Sequence, residues 1–533
     1  MSLRSLPSCR RAAASAASAS KLALPSSRIA LPRFARCYAT PVTVNGFTQL
    51  KPTRYGQPLA PSHPHLVSPK ETTPGIPQVE YDRRRRKLME RLPDGSLVVC
   101  VAGQIKYMSG QIFYKFRQSS DFWYLTGFEE PDAAVIIEKQ PSSPRGYRMV
   151  MFSAGTDSAK EKWDGARSSP EDIVRYFGAD EAEPISAFPA ALRGLASSAS
   201  HIYLDIPNTS KRARASSPKS LLKVRSVSNA MLSAGAQPDR VKYLSPSGGL
   251  SRGEYDSLLD SLGNSRRRPL APEVGRLRAV KSKAEQKVMR QAADISARAH
   301  NKTMRFTDPG VSEHAVAAHF EYLCAREGSQ RPAYVPVVAS GPNALIIHYT
   351  SNNQLIANGE MVLIDAGCEY NGYASDITRT FPANGSFTPE QATLYNALLT
   401  VQKHLITLCT EAAGMSILQI HRESCTLLRK ELERIGFSFP LGAGTLDTLY
   451  PHLIGHPVGI DLHESSHMER DAPLKAGMVV TIEPGVYVPP FPEFPKAFHN
   501  IGIRIEDEVL VGKEHPEVLS VNAPKEVSGL DSE

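Results

Sequence analysis

Two aspartates, Asp365 and Asp376, lie on either side of Asn371-Gly372 in the segment Met361–Phe381. An Asn-Gly step between apolar, β-branched runs signals a two-residue type I′ hairpin turn. Pairing counted outward from that turn sets Asp365 opposite Thr378 and puts Asp376 two positions from Thr378 on the same face. The two carboxylates are then diagonal neighbours within reach of common metal ions, and a one-residue slip would put them on opposite faces. Acidic residues inside strands cost free energy unless they are paired or metal-bound. Taken alone, the pair fits equally well on a solvated sheet face.

Further polar residues follow in apolar surroundings. Glu483 ends the run Gly477-Met-Val-Val-Thr-Ile, and Arg504 and Glu506 alternate with Ile501, Ile503 and Ile505, so the two charges share one strand face. By themselves Arg504 and Glu506 also fit a plain buried ion pair. Pro451–Glu464 supplies His452, His456 and His463, and His348 stands upstream in Ile346-Ile-His-Tyr. His452 and His456 have i, i+4 spacing, but Leu453 stands where a zinc-protease HExxH helix needs glutamate. A single histidine in such a segment is more often structural.

The elements that must hold these residues are legible in outline. A helix is expected over 80–92, with the basic run Arg83–Lys87 on a solvated face, and strands over 96–102 and 133–138. A long helix is expected near 283–306, then helices near 312–327, 388–411 and 415–435, with β-rich runs at 361–381, 478–488 and 500–511. No Walker loop, dinucleotide fingerprint or internal repeat occurs.

At 533 residues the chain exceeds what one core usually supports, so two folded domains are expected. The net charge of +8 is not spread over them. Residues 1–70 hold ten Lys or Arg and no acid, which leaves the rest slightly negative and gives no electrostatic case for a nucleic-acid partner. That Arg-, Ser- and Ala-rich tail has the composition of a mitochondrial presequence, and its short apolar run is broken by Lys21 and Arg28. No apolar stretch is long enough for a membrane span. Seven cysteines without a CxxC pair fit a reducing compartment, and Cys368 reads as a packing residue.

The order Asp–x10–Asp, His, Glu, Glu within these flanks resembles the pita-bread metallopeptidases, which include methionine aminopeptidase, prolidase and aminopeptidase P. The more specific resemblance is to aminopeptidase P. Tyr114–Phe128, with Ser120-Asp-Phe-Trp-Tyr-Leu-Thr-Gly, and Trp163-Asp-Gly-Ala-Arg167 are similar to that family's N-terminal signature. The resemblance runs from about 76 to 520 and, with the tail, is greatest to the mitochondrial members. It implies an α/β chain with an aminopeptidase P N-terminal-like α/β domain 76–268 and a pita-bread α+β catalytic domain 269–525; composition adds a presequence 1–38 and a linker 39–75 ahead of them, and a tail 526–533 follows.

The resemblance, and not the spacing, implies that five residues converge as metal ligands: Asp365, Asp376, His456, Glu483 and Glu506, with Asp376 and Glu506 bridging. Four carboxylates and one imidazole without a thiolate suit a harder ion such as Mn²⁺ better than structural zinc. Two bridging carboxylates imply two divalent ions about 3.5–4 Å apart. His348, His463 and Arg504 join the implied catalytic set, the histidines as substrate and intermediate contacts, with Glu483 as proton shuttle. The implied activity removes one bulky residue (Tyr, Leu or Phe) from the N-termini of presequence-processed proteins, in the matrix or on the matrix side of the inner membrane. Peripheral membrane association is compatible with it, and the resemblance implies a homo-oligomer. A general Xaa-Pro aminopeptidase or prolidase-like peptidase, and an inactive binding module, are the alternatives. The tail itself carries Arg36-Cys37-Tyr38-Ala39, which has the form of a site that such an activity would trim from Tyr38 to Ala39.

Overall fold

A computed structural model describes residues 40–204, 252–440, 445–464 and 470–530. The expected presequence and most of the Ser-, Arg- and Gly-rich 207–253 stretch lie outside them. The first half is built on a six-stranded mixed sheet, in the spatial order 181–184, 147–153, 134–139, 96–101, 201–204, 267–269. Its central strands are apolar on both faces because both faces are covered. Leu97, Val99, Ala134 and Ile136 meet the helix Phe188–Ser198 and Leu258 and Leu259. Val98, Cys100, Val135 and Ile137 meet the helices Gln78–Arg91 and Ser120–Thr126 through Tyr81, Leu88 and Phe122.

Residues 39–75 were expected as a linker on composition, and the structure corrects this. Thr40–Val44 and Phe47–Lys51 pair as a hairpin, and Tyr55, Leu59 and Val67 are buried. Gln57 and Thr72 bond backbone carbonyls at Gly127 and Tyr176 of the first half. The Pro- and Ser-rich composition hid a few well-spaced apolar anchors. Of the two tryptophans, Trp123 is buried and Trp163 is 86 % exposed.

In the second half the helix Lys283–Phe306 opens on a capping box, Ser282 with Glu285. It packs against the hairpin that carries the aspartates. That hairpin has the predicted register: Met361–Asp365 pairs with Thr378–Pro382, Asp365 faces Thr378, and Tyr370 faces Tyr373 across the turn. Asn371 and Gly372 have φ of 49° and 83°, as a type I′ turn requires. Val337–Ser340 adds a third strand beside Met361–Asp365, with Val337 opposite Asp365. Val479–Ile482 pairs with Asp507–Leu510, and Gly485–Val488 with Ile501–Arg504. Helices Pro389–Thr407 and Ile417–Arg434 cover these strands through Leu398, Leu405, Ile420 and Leu428. Among the described residues no helix is long and apolar enough to cross a membrane.

The halves meet through ion pairs, buried at Arg84 and Arg278 and more open at Arg117. Arg84 contacts Glu285 at 3.2 Å and donates to Tyr373. Arg117 bonds Glu369 and the Ile460 carbonyl, and Arg278 bonds Asp121, Asp461 and Glu464 at 2.6–2.8 Å. Trp123 stacks edge-on to Tyr373 and sits over the hairpin turn, where a Cβ on Gly372 would come within 2.6 Å of its ring.

Candidate metal centre

Every acid of the cluster sits at or just beyond a strand end. Asp365 closes its strand, and Asp376 lies in the irregular step before Thr378. Opposite that step a Cβ on Gly367 would stand 1.8 Å from the Ser375 carbonyl oxygen, so only glycine lets the two backbones approach. The Asp376 amide donates to Glu508 behind the strand. Glu483 follows Val479–Ile482, and Glu506 lies between the two strands that flank it, its amide donating to the Thr378 carbonyl at 3.1 Å. His456 sits in a loop laced to Thr481. Its amide donates to Thr481 Oγ1 at 3.0 Å, and the Thr481 amide donates to the His456 carbonyl at 2.9 Å.

These elements bring Asp376, His456 and Glu506 together, each offering a ligand atom within 4.8 Å of the others. His456 Nε2 lies 3.3 Å from Asp376 Oδ2 and 3.5 Å from Glu483 Oε1. Asp365 joins through Tyr334, whose hydroxyl is 2.5 Å from Asp365 Oδ1 and 2.6 Å from Asp376 Oδ1. One hydroxyl carries one proton, so only one of these contacts is a donated bond. The other sets two acceptors side by side, an arrangement that a proton or a cation relieves. Arg504 reaches Asp365 Oδ2 at 2.6 Å and donates to Tyr487 and Thr378, while Thr378 donates to Glu506 Oε2 at 2.6 Å.

The electrostatics follow from crowding. Burial, with the other carboxylates, raises Asp376 and pushes Glu506 well above its ordinary value. Burial also raises Glu483, to about 7. Burial alone would lower His456, but the bond to Asp376 and the charge of Glu483 hold it at about 9. His463 and His452 go the other way, to about 4 and about 3: burial acts on both, helped by His456 beside the first and Arg504 beside the second.

A divalent cation fits this donor set. Carboxylates outnumber the cations facing them, and no thiolate is among the donors. His456 Nδ1 donates to the Pro457 carbonyl at 3.1 Å, which fixes the ring and leaves Nε2 toward Asp376 and Glu483 as a ligand atom.

The other expected residues lie around this cluster. The His463 ring is 4.2 Å from that of His456, centroid to centroid. His348 is exposed, close enough to His452 and His463 to lower both. Arg504 is buried among Asp365, Tyr487 and Thr378. Reading the sequence missed Tyr334, Thr481, Tyr487 and Glu508. Tyr334 precedes the strand paired with Met361–Asp365, and Tyr487 lies opposite Gly502 in the strand pair leading to Arg504. Only that pairing, and no motif, could have pointed to them.

Comparison with known proteins identifies the family. Residues 287–513 match the model of metallopeptidase family M24, and residues 81–203 match that of the aminopeptidase P N-terminal domain. Intermediate cleaving peptidase 55 of Saccharomyces cerevisiae is 36% identical over 481 residues, covering 90% of this chain and 89% of that protein. Its crystal structure superposes with a TM-score of 0.73, over 87% of this chain and 98% of that one. Xaa-Pro aminopeptidase 3 of Rattus norvegicus is 35% identical, with 90% of each chain covered. Mitochondrial intermediate cleaving peptidase 55 of Arabidopsis thaliana is 34% identical, covering 92% of this chain and 90% of that protein.

Proposed function

Because the chain belongs to metallopeptidase family M24, with the aminopeptidase P N-terminal domain and the pita-bread fold of that family, we propose that this metallo-aminopeptidase trims one bulky N-terminal residue from proteins whose presequence has been removed. The observation that carries this reading is the buried cluster of Asp376, His456 and Glu506, flanked by Asp365 and Glu483. The family implies divalent metal ions, and we assign two, with manganese favoured by the oxygen-rich donors. Asp376 and Glu506 would bridge them, with Asp365, His456 and Glu483 as the outer ligands. Ions held there would lower the pKa of water and polarise a peptide carbonyl.

The remaining steps belong to the chain. Glu483 carries the proton from the attacking water to the departing amine. His463 and His348, on the rim, donate to the developing oxyanion. Arg504 holds Asp365 in place and Thr481 fixes Glu483, through bonds of 2.6 Å and 3.1 Å. Arg117 of the first half and Arg278 of the second hold the loop 456–464. The acid-free basic tail and the mitochondrial relative support an address in the matrix or at the matrix face of the inner membrane.

The test is release of the first residue from peptides beginning Tyr-Ala, Tyr-Ser and Tyr-Pro, with Mn²⁺ supplied. Tyrosine released from the first two supports the processing role. Cleavage confined to Tyr-Pro would replace it with a proline-directed peptidase, as the likeness to Xaa-Pro aminopeptidase 3 allows. N-terminal sequencing of the mature protein adds a check, since Ala39 is expected in active protein and Tyr38 where only an Asp376→Ala chain is present.

A further inference from the structure

Three acids stand in a row at Glu506-Asp507-Glu508, and the third takes no part in the donor group of Asp376, His456 and Glu506. Glu508 is fully buried on the strand Asp507–Leu510, directly opposite Thr481 of Val479–Ile482. Opposite residues of an antiparallel pair share a face, so Glu508 and Thr481 stand side by side. Thr481 Oγ1 already serves two residues of the cluster, accepting from the His456 amide at 3.0 Å and donating to Glu483 Oε1 at 3.1 Å.

Glu508 serves a third. Asp376 falls in a step that the hairpin ladder skips. On one side of it the Ser375 amide reaches the Cys368 carbonyl at 2.9 Å, and on the other the Ile377 carbonyl accepts from the Ala366 amide at 3.1 Å. A buried amide needs an acceptor. That of Asp376 finds Glu508 Oε1, on a strand far along the chain. The other oxygen, Glu508 Oε2, is buried with no hydrogen-bond partner among the described residues. Glu508 thus contributes one acceptor at one place.

We infer that Glu508 is a positioning residue for the metal centre, holding the Asp376 peptide so that the Asp376 carboxylate faces His456 and Glu506. This rests on the reading of Asp376 as a metal ligand. The bond fixes the peptide plane, and the peptide plane sets the direction in which the side chain leaves. Asp376 Oδ2 then lies 3.3 Å from His456 Nε2, and Asp376 Oδ1 lies 2.6 Å from the Tyr334 hydroxyl. Without the acceptor the buried amide turns toward another partner, and the carboxylate turns with it. With Thr481, one cross-strand pair supports three of the five proposed ligands from behind.

The experiment separates reach from charge. Full chains stripped of metal with chelator are titrated with Mn²⁺ by isothermal titration calorimetry, and circular dichroism checks the fold of each. Glu508→Gln keeps an acceptor oxygen at the same length without the charge, and it should bind Mn²⁺ as the wild type does. Glu508→Asp keeps the charge but stops one methylene short of the amide, so its Mn²⁺ affinity should fall by about 10–100-fold, the scale for losing a partner behind a ligand. Glu508→Met removes the acceptor at nearly constant volume and should fall likewise, which keeps the test decisive if the shorter acid costs the fold. Wild-type affinity in Glu508→Asp or Glu508→Met, or an equal fall in Glu508→Gln, would overturn the positioning role. Asp376→Ala is the reference: if it binds Mn²⁺ as the wild type does, the ligand reading of Asp376 fails, whatever Glu508 does.

Discussion

Glu506 and Asp507 are neighbours in sequence, both buried, and their surroundings are opposite. Asp507 accepts from Arg379 at 2.8 Å, Gln402 at 2.8 Å, Ser520 at 2.6 Å and Lys525 at 2.5 Å. Burial alone would raise it, but Arg379 and Lys525 hold it well below the usual carboxylate range. Glu506 receives one hydroxyl, from Thr378, and faces Asp376, Glu483 and Asp365, so burial and like charges push it far up. One carboxylate is closed by cations of the chain itself. The other is left for a cation from outside. Burial of an acid is therefore no sign of a binding site; burial without a resident counter-charge is.

The largest effect should come from breaking the open cluster. Asp376→Ala removes a proposed shared ligand, and activity should fall by at least about 10³-fold with loss of bound metal. Far-ultraviolet circular dichroism should stay unchanged. Near-normal turnover in the purified variant would mean that the open cluster is not where a cation acts.

The closed cluster should answer in stability instead. Arg379→Leu leaves Asp507 buried with Lys525 as its one remaining cation, which should cost about 3 kcal/mol or more in denaturant unfolding. Metal bound per folded molecule should not change. A cost near zero would show that Asp507 does not depend on Arg379.

Within the open cluster the two histidines should separate. His456→Ala should lower metal content, whereas His463→Ala should retain metal and reduce kcat by about 10²-fold, the scale for one oxyanion donor. Elemental analysis and kinetics on both variants decide it, and the reverse pattern would exchange the roles.

The smallest effect is in pH. With metal chelated, Glu483 and His456 both have folded values above their ordinary 4.5 and 6.5. Their protonated forms stabilise the fold, fully below those ordinary values, and that contribution is lost as pH rises through about 7 and about 9. Asp507 has the opposite sign, its contribution holding above the ordinary value and failing only in acid. The Tm of chelated protein should fall by several degrees between about pH 5 and 9, with metal-loaded protein nearly flat. A Tm rising with pH in chelated protein would contradict the open reading of Glu483 and His456.

Much of this was legible because it is local. Asn371-Gly372 set the hairpin register and so the pairing of Asp365 with Thr378. Apolar spacing marked the long helix near 283–306, and Ile501, Ile503 and Ile505 gave the face of Arg504 and Glu506. Convergence was not legible, because nothing local ties the loop of His456 to the aspartate hairpin; tertiary packing does that, with the Ala374 amide donating to the Gly459 carbonyl at 2.8 Å. Tyr334 was invisible for the same reason, a tyrosine among prolines whose meaning lies in the neighbouring strand. The packed stretch 52–75 was missed because prolines and serines outweigh Tyr55, Leu59 and Val67 in composition, though not in burial.

The ion pairs between the halves bear on how the gene product can be shortened. Glu285 and Glu369 of the second half find Arg84 and Arg117 in the first, and Arg278 finds Asp121 there. A product begun at an internal start codon after the first half would keep the whole metal cluster yet strand those charges. Such a product should be cleared by quality-control proteases, which makes the first half an obligate companion of the catalytic one from synthesis onward.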